Sequence, residues 1–451
     1  MSDRYHPRAK AVAELETAGV LLVQDGNHGE YRPRTEEFCV TGTAFIRASD
    51  MHAGRVLFCS ASQINDQALS RIRKGVGRPG DVVFSHKGTV GKLALVPMNA
   101  PPFVCSPQTT FWRVLDEKIV DRRFLYYFMQ SDAFREQWEA RKGETDMADY
   151  VSLTAQRELI VDVPPIDEQR AIAEVLGALD DKIELNRQMN RTLEEMASAL
   201  FKSWFVDFDP VVAKAEGRRP FGIDAETAAL FPAAFEDSEL GPIPHGWRAT
   251  AVEACVAEIF DGPHATPPVA CSGAVFLGIG NMTGTGLDLG DVRYIAESDW
   301  ARWTRRVTPA EGDIVFTYEA ALGRFALVPA GLRCCLGRRM ALVRPRRHAD
   351  APFLFHQFVA PPFQEVVAAR SWTGSTVDRT PLTEFPGYPF LWPGEALVTR
   401  FSEEAAPMWD LIHHNQAESH TLSTLRDTLL PKLLSGEVRL KQAEKAVEAA
   451  L

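Results

Sequence analysis

The chain has 451 residues, of which 45% are hydrophobic and 24% charged, and its formal net charge is −11. This composition is typical of a globular protein that can bury two or three cores. The sequence has no apolar run of about 18 residues, and its start, MSDRYHPRAK, contains no apolar segment. It therefore predicts no membrane span, no signal peptide and a cytoplasmic location. Seven cysteines without C-x-x-C spacing argue against a disulfide framework and a zinc site.

The negative net charge hides two basic regions. Residues 47–113 contain nine basic residues against three acidic ones, and residues 302–347 contain ten against three. Much of the negative charge belongs to the long helical segments and their flanks. Two basic patches on an acidic frame favour two local contacts with a polyanion, and the alternative is a pair of ordinary solvated faces.

Residues 1–163 are predicted to form an α+β domain. Its markers are DGNH at 25–28, FIRASDM at 45–51 and GDVVFSHKGTVGKLALVP from Gly80. The last stretch has two alternating apolar runs around a polar turn that contains Gly91, which predicts a β-hairpin. Residues 124–128 are predicted to be helical, and the domain ends in the strand-like run VDVPP.

Residues 164–209 are predicted to form one long helix. Apolar residues recur at alternating steps of four and three, and charged residues fill most other positions, which is the pattern of a coiled-coil seam. The seam residues are Ile172, Leu176, Leu179, Ile183, Asn186, Asn190, Leu193, Ala197, Leu200 and Trp204. A helix of about 40 residues is about 60 Å long, so it needs a partner helix.

Residues 210–244 are rich in Pro, Gly and Ala and are predicted to be a connector, with a short helix near residues 225–230. Residues 245–395 are a second version of the first domain. DGPH at 261–264 corresponds to DGNH, and GDIVFTYEAALGRFALVP from Gly312 corresponds to the hairpin from Gly80. The sequence therefore contains the same α+β unit twice.

Residues 396–436 are predicted to form the distal helix, and residues 437–451 a tail that frays or folds back. The seam pattern recurs 229 residues after the first helix, at Phe401, Ala405, Met408, Ile412, Asn415, Ser419, Leu422, Arg426, Leu429 and Leu433. If the two helices pair antiparallel, Asn186 falls near Ser419 and Asn190 near Asn415. Such a polar layer costs stability but fixes the register. Arg426 on the seam and Pro431 within the helix predict that its last turns bend or splay.

Catalytic patterns are sparse. Ala-Pro-Pro-Phe occurs at 100–103 and 360–363 but lacks the polar first residue with which amino-methyltransferases hold the target nitrogen, and no glycine motif for S-adenosylmethionine accompanies it. No Walker-type glycine loop is present. His413-His414 has no third ligand in view, so no metal site is expected. The sequence thus predicts a binding protein without catalytic residues, metal ligands or a cofactor of its own.

Three stretches resemble a known family. They are PPIDEQRAIAEVLGALDDKIELNRQMN, LEEMASALFKSWFVDFDPV and LRDTLLPKLLSGEVRL, supported by DGNHGEYRP and FIRASDM. The chain resembles the specificity (S) subunit of type I restriction–modification enzymes over nearly its whole length. The fold class implied is α+β, with two pseudo-repeated α/β-type target-recognition domains separated by a long antiparallel two-helix coiled coil.

The resemblance implies a non-catalytic subunit that selects a DNA sequence for a complex. Two modification subunits, which bind S-adenosylmethionine and methylate adenine, would dock on it, and two restriction subunits that use ATP and Mg²⁺ would add translocation and cleavage. Each domain would read one half of an asymmetric site in double-stranded DNA, with the helices setting the gap. A non-DNA scaffold that holds two partner proteins is the alternative.

Polar turns of the matched elements supply the candidate DNA contacts, because loops on a rigid frame usually carry function. An ordinary surface or capping role is the alternative for each residue. The candidates are His28, Arg47, Ser49, His86 and Lys87 in the first domain, and His264, Asn281, Tyr318, Arg324 and Arg338 in the second.

Overall fold

The computed structural model describes residues 8–27, 29–144, 149–238, 241–290, 292–372 and 377–451. The chain divides into two compact units, one of Met1–Ile183 with Thr421–Leu451 and one of Glu184–His420. Unit 1 contains the first α+β domain, and unit 2 contains the second.

The strands are β1 Ala9–Ala11, β2 Leu21–Asp25, β3 Phe38–Cys39, β4 Thr43–Ile46, β5 Met51–His52, β6 Arg55–Val56, β7 Gln63–Ile64, β8 Val76–Gly77, β9 Val82–Ser85, β10 Leu93–Leu95, β11 Phe103–Cys105, β12 Thr109–Val114, β13 Gly143–Glu144, β14 Asp149–Tyr150, β15 Ile160–Asp162, β16 Phe235–Ser238, β17 Gly241–Pro244, β18 Arg248–Ala251, β19 Val256–Asp261, β20 Ala274–Leu277, β21 Arg293–Ile295, β22 Ile314–Thr317, β23 Phe325–Leu327, β24 Cys334–Leu336, β25 Met340–Pro345 and β26 Pro389–Trp392.

The helices complete the secondary structure. They are α1 Val12–Thr17, α2 Asp66–Arg71, α3 Arg122–Gln130, α4 Asp132–Glu139, α5 Leu153–Arg157, α6 Ile166–Phe205, α7 Asp209–Ala215, α8 Ala225–Leu230, α9 Val252–Cys255, α10 Trp300–Trp303, α11 Ala351–Val359, α12 Pro361–Arg370, α13 Glu395–Leu434 and α14 Leu440–Glu448. Short 3-10 turns occur at Gly29–Tyr31, Thr35–Glu37, Ala48–Asp50, Ile279–Asn281, Glu297–Asp299, His348–Asp350 and Phe385–Gly387.

The two domains share one topology. The first has a sheet in the order β10-β9-β12-β2, and the second has β23-β22-β25-β19, with every neighbouring pair antiparallel. Each domain also has a sheet built around one parallel pair, β4 with β11 or β20 with β24. In each, a strand at the start pairs with the strand that precedes the long helix, β1 with β15 or β18 with β26. The predicted duplication and both predicted hairpins are therefore confirmed.

Side-chain alternation explains the layers within each domain. In β9, Val82 and Phe84 face the core shared with α3 and α4, whereas Val83 faces a core between the two sheets. In β22, Phe316 and Val315 divide between the two corresponding cores in the same way. The adjacent Cys334 and Cys335 are packed on opposite faces of β24, and burial raises the pKa of each thiol to about 12.

The two long helices each contain 40 residues and contribute to both units. Within unit 2, the amide of Asn415 donates to Asn190 Oδ1 at 2.8 Å, and Asn186 Nδ2 donates to Ser419 Oγ at 3.3 Å. These are the antiparallel polar pairs that the sequence predicts. Most of the other seam residues, among them Ile172, Leu176, Leu179, Ile183, Ile412, Leu422 and Leu429, are buried, whereas Leu193, Leu200 and Met408 are partly buried.

The end of the distal helix differs from the prediction. Helix α13 runs unbroken past Pro431 to Leu434, and Leu429 and Leu433 belong to the core of unit 1. Arg426 does not splay the helix because its guanidinium pairs with Asp180, 2.6 Å away. The tail folds back as helix α14, whose Val447 joins the same core. The central helix ends at Phe205, before the predicted 209.

Candidate nucleic-acid interface

The turns that carry the predicted contacts converge at one end of each domain, which we call its polar end. In the first domain the polar end comprises residues 25–27, 47–50, 86–87 and 105–109, and in the second domain residues 261–264, 278–281, 318–319 and 336–339. Backbone hydrogen bonds hold it together, including Asn27 N to Cys105 O at 2.7 Å and His86 N to Gln108 O at 2.9 Å. In the second domain, Tyr318 N donates to Arg339 O at 3.3 Å.

The Asp-Gly turn is the tightest point of each polar end. Gly26 N donates to Thr109 O, and Gly262 N donates to Met340 O, both at 2.9 Å. A Cβ on Gly26 would lie 1.8 Å from Ser106 O, and one on Gly262 would lie 2.6 Å from Met340 O. Glycine is required at both positions because no side chain fits between the strands.

A buried polar side chain faces the aspartate of this turn in each domain. His86 Nε2 lies 3.6 Å from Asp25 Oδ1, and the Tyr318 hydroxyl donates to Asp261 Oδ1 at 3.0 Å. His86 and Tyr318 directly follow the equivalent strands β9 and β22. Burial lowers the pKa of His86, which Asp25 opposes, and burial together with Asp261 raises the pKa of Tyr318. The two domains therefore place different chemistry, an imidazole and a phenol, on one frame.

The predicted contact Asn281 has a structural role. Its Oδ1 accepts from Gly278 N at 3.0 Å and its Nδ2 donates to Asp288 O at 3.0 Å, so the buried amide holds a turn. The equivalent residue in the first domain is Asp50, whose Oδ2 accepts from Arg47 N at 2.7 Å. Arg47 itself is half-buried, with its guanidinium 5.5 Å from the centre of the Phe38 ring.

Arg324 also has an internal partner. Its Nη1 donates to Met282 O at 2.9 Å, and at the equivalent position of the first domain Lys92 Nζ donates to Met51 O at 3.0 Å. In both domains a long basic side chain from the hairpin turn therefore fastens the neighbouring 3-10 turn. This contact is the physical alternative to DNA binding for Arg324.

The remaining candidates are solvent-exposed, apart from His28, which lies outside the described residues. Ser49, Lys87, His264 and Arg338 are all exposed. His264 Nε2 lies 2.8 Å from Asp261 Oδ2, on the same turn that Tyr318 contacts. These side chains present hydrogen-bond donors and acceptors to solvent at the polar ends.

Several arginines of the two basic regions are not available to a ligand. Arg113 binds Asp81 through two hydrogen bonds of 2.7 Å, and its equivalent Arg344 binds Asp313 at 2.8 and 2.6 Å. Arg71 likewise pairs with the buried Glu37, and this pairing lowers the pKa of Glu37 to about 2. Counting charge along the sequence thus overstates the free positive charge of each domain.

An exposed basic dipeptide in each domain, Arg73-Lys74 or Arg305-Arg306, belongs to the two basic regions but is not among the predicted contacts. The signal that could have found them is positional, because each pair precedes its hairpin by the same number of residues.

The chain with these two polar ends is similar to proteins of known family. The family described as "Type I restriction modification DNA specificity domain" matches residues 27–195, which begin at the first Asp-Gly turn and end within α6. The HindI specificity subunit of Haemophilus influenzae is 24% identical over 447 residues, covering 87% of this chain and 94% of its own length. This chain is therefore similar to the specificity subunits of type I restriction–modification enzymes.

Further proteins show the same similarity. The MjaIX specificity subunit of Methanocaldococcus jannaschii is 23% identical over 363 residues, 79% of each chain. The S subunit of M. genitalium has the same fold, with a TM-score of 0.51 and 13% identity over 96% of this chain and 97% of that one. The two polar ends of the chain are therefore its candidate nucleic-acid interfaces.

The described part of this chain offers no cluster of three or more His, Cys, Asp or Glu side chains that could hold a metal ion. None of its described helices combines the length and apolarity needed to cross a bilayer.

Proposed function

We propose that this chain is the specificity subunit of a type I restriction–modification complex. It reads a bipartite, asymmetric site in double-stranded DNA, one half with each domain. The observation that supports this most directly is the repeated polar end with different side chains, His86 facing Asp25 in one and Tyr318 facing Asp261 in the other. A repeated frame favours the same docking mode twice, whereas different side chains favour two different half-sites.

Within this proposal the ten candidates divide by exposure. Ser49, Lys87, His264 and Arg338 make the direct contacts with bases or phosphates, and Arg47 joins them at the half-buried edge. The buried residues His86, Asn281 and Tyr318, and the fastened Arg324, act by positioning these turns. His28 belongs with the direct contacts because it follows the Asp-Gly turn in sequence, as His264 does.

The long helices would set the unread gap between the half-sites. Each helix has 40 residues, and its rise of about 1.5 Å per residue gives about 60 Å. The Asn190–Asn415 pair supports a fixed register because a buried polar pair disfavours sliding of one helix along the other. A fixed register means a fixed gap.

The subunit itself would be non-catalytic and would carry no cofactor. Two modification subunits that bind S-adenosylmethionine and methylate adenine would dock on it, and two restriction subunits that use ATP and Mg²⁺ would complete the assembly.

Co-expression with the adenine methyltransferase encoded beside this chain tests the proposal. Methylome sequencing of the host should show methylated adenines in a split site with unlike halves. In gel shifts, the purified complex should bind that duplex with strong salt dependence. Absence of both results would instead favour the protein scaffold without DNA affinity. Purified chain alone should show no turnover of S-adenosylmethionine.

Deleting one matched heptad from both helices tests the gap. Removal of residues 187–193 and 412–418 keeps the Asn186–Ser419 pair and shortens the pair of helices by about 10 Å. The methylated site should then have a gap shorter by roughly three base pairs, at about 3.4 Å each. An unchanged gap would refute the proposal that the helices set the spacing.

A further inference from the structure

The basic dipeptides that precede the two hairpins occupy equivalent positions, and we call them the basic pairs. Arg78 N donates to Asp81 Oδ2 at 2.7 Å just before the first hairpin, and Ala310 N donates to Asp313 Oδ2 at 2.8 Å before the second. Arg73-Lys74 precedes Asp81 by the same number of residues as Arg305-Arg306 precedes Asp313. The pairs are thus related by the same duplication as the domains, although the neighbouring sequences differ.

Both basic pairs lie against the Asp-Gly turn. In the first domain, Gly75 directly follows the pair, and a Cβ there would lie 2.6 Å from Asn27 N. Cys105 N donates to Gly75 O at 2.7 Å, which fixes this segment to the polar end. In the second domain, Arg306 Nη1 donates to Gly262 O at 2.9 Å and lies 3.2 Å from Asp261 Oδ2.

The basic pairs differ from the buried-aspartate partners Arg113 and Arg344 in their exposure to solvent. Arg73, Lys74, Arg305 and Arg306 are exposed. Among the described residues, no side-chain hydrogen bond or ion pair engages Arg73, Lys74 or Arg305. Arg113 and its equivalent, by contrast, are held by buried aspartates. Each domain thus keeps unneutralised positive charge beside its reading turn.

We propose that the two basic pairs are the phosphate contacts that dock each domain on the DNA backbone beside its half-site. This inference rests on the proposed DNA-reading function and deepens it by separating docking from reading. Lys and Arg that neutralise phosphates add affinity without sequence information, and they release counterions on binding. Arg306, anchored on the turn, sets the position of its pair, and Arg305 reaches outward.

The test uses the full complex with its modification subunits. The variants are Arg73→Ala/Lys74→Ala, Arg305→Ala/Arg306→Ala and the matched control Lys10→Ala/Lys118→Ala, which removes two exposed lysines outside the polar end. The dissociation constant is measured from 50 to 200 mM salt on the methylated target duplex and on a scrambled duplex. Circular dichroism checks that each variant folds.

Each lost phosphate contact should reduce the slope of log affinity against log salt concentration by about 0.9. Between 50 and 200 mM salt, the affinity of the variant should therefore fall by a factor roughly threefold smaller than that of wild type. Both basic-pair variants should weaken binding to the two duplexes by the same factor and leave the methylated sequence unchanged. Arg73→Lys/Lys74→Arg should restore wild-type affinity. The control should keep the wild-type slope.

Three outcomes would overturn the inference: an unchanged slope in both variants, an equal change in the control, or a changed recognition sequence, which would make the pairs base readers. Failure of the wild-type complex to bind its duplex specifically would reject the proposed function as well. The wild-type measurement therefore distinguishes the two failures.

Discussion

The junction between domain and helix is built twice in this protein, with different chemistry. In unit 1, the Tyr127 hydroxyl donates to Asp180 Oδ2 at 2.7 Å, and Arg426 Nη1 donates to Asp180 Oδ1 at 2.6 Å. Burial and the neighbouring Asp180 raise the pKa of Tyr127. Burial opposes the charge of Arg426, but Asp180 and Asp427 outweigh it and raise the Arg426 pKa. A charged network therefore joins domain and helices.

The equivalent junction in unit 2 is aromatic. His356 takes the place of Tyr127 and Trp409 that of Asp180, and Trp409 Nε1 donates to His356 Nε2 at 3.1 Å. The place of Arg426 is taken by Ala197, which is fully buried. Burial lowers the pKa of His356 to about 3, so this ring is neutral at physiological pH.

The same junction between a domain and the long helices is thus formed by an ion pair in unit 1 and by packed aromatic side chains in unit 2. A buried ion pair gains little net stability over well-packed apolar groups, but it is costly to break by removing one partner. An aromatic cluster gains stability through buried area and loses it through cavities. The two junctions should therefore respond to different perturbations, although they support equivalent domains.

The largest effect is expected in the aromatic junction. Phe201 is 3% exposed and lies 5.0 Å from the Phe205 ring centre and 5.6 Å from that of Phe353. Phe201→Ala should lower the free energy of unfolding of unit 2 by about 4 kcal/mol because it leaves a cavity that cannot collapse. Hydrogen exchange measured by mass spectrometry should show the loss in unit 2 peptides. Leu430→Ala, the matched control in unit 1, should cost about 3 kcal/mol there instead. A shared loss in both units would contradict separate cores.

The ion pair provides the next test. Asp180→Ala leaves Arg426 and the Tyr127 hydroxyl unpaired, and should cost unit 1 about 3 kcal/mol in denaturant unfolding. The triple variant Tyr127→Phe/Asp180→Leu/Arg426→Leu, which imitates the apolar character of unit 2, should lose less than Asp180→Ala alone. If the triple variant is the less stable of the two, the charged network contributes more than an apolar replacement and the two junctions are not interchangeable.

Acid should distinguish the junctions through His356. An unfolded histidine takes up a proton below pH of about 6.5, whereas folded His356 resists protonation until about pH 3. Its stabilising contribution is complete above pH of about 6.5 and is lost as pH falls toward 3, by about 1.4 kcal/mol per unit. Between pH 7 and pH 5, the free energy of unfolding of His356→Phe should therefore fall by about 2 kcal/mol less than that of wild type. Tyr127→Phe, the matched control, should follow the wild-type profile, and identical profiles for both variants would refute the assignment.

The smallest effect concerns an exposed pair next to the charged network. Arg123 pairs with Asp181, and their side chains are 39% and 62% exposed. Solvent screens such a pair, so Arg123→Ala should change the unfolding free energy by less than about 1 kcal/mol. A loss comparable to that of Asp180→Ala would show that burial does not separate these neighbouring pairs.

The sequence alone determined the duplication, both hairpins, the two long helices and, given antiparallel pairing, the register between them. These features follow from local periodicity and from the fixed offset of 229 residues, so Asn190 and Asn415 could be paired before any coordinates. Local pattern also located the short helix at Ala225–Leu230 in the connector.

Only the tertiary structure decided which polar residues face solvent and which hold the frame. His86 and Tyr318 occupy polar turns in the sequence, but their partners Val151 and Asp261 come from distant segments, and contacts between distant segments leave no periodic signal. The same reason hid the roles of Asp180 and Trp409, because both lie off the helix seam and each contacts a side chain of a domain, Tyr127 or His356. Periodicity records which face of a helix is buried, whereas the choice of partner across that face is made by the fold.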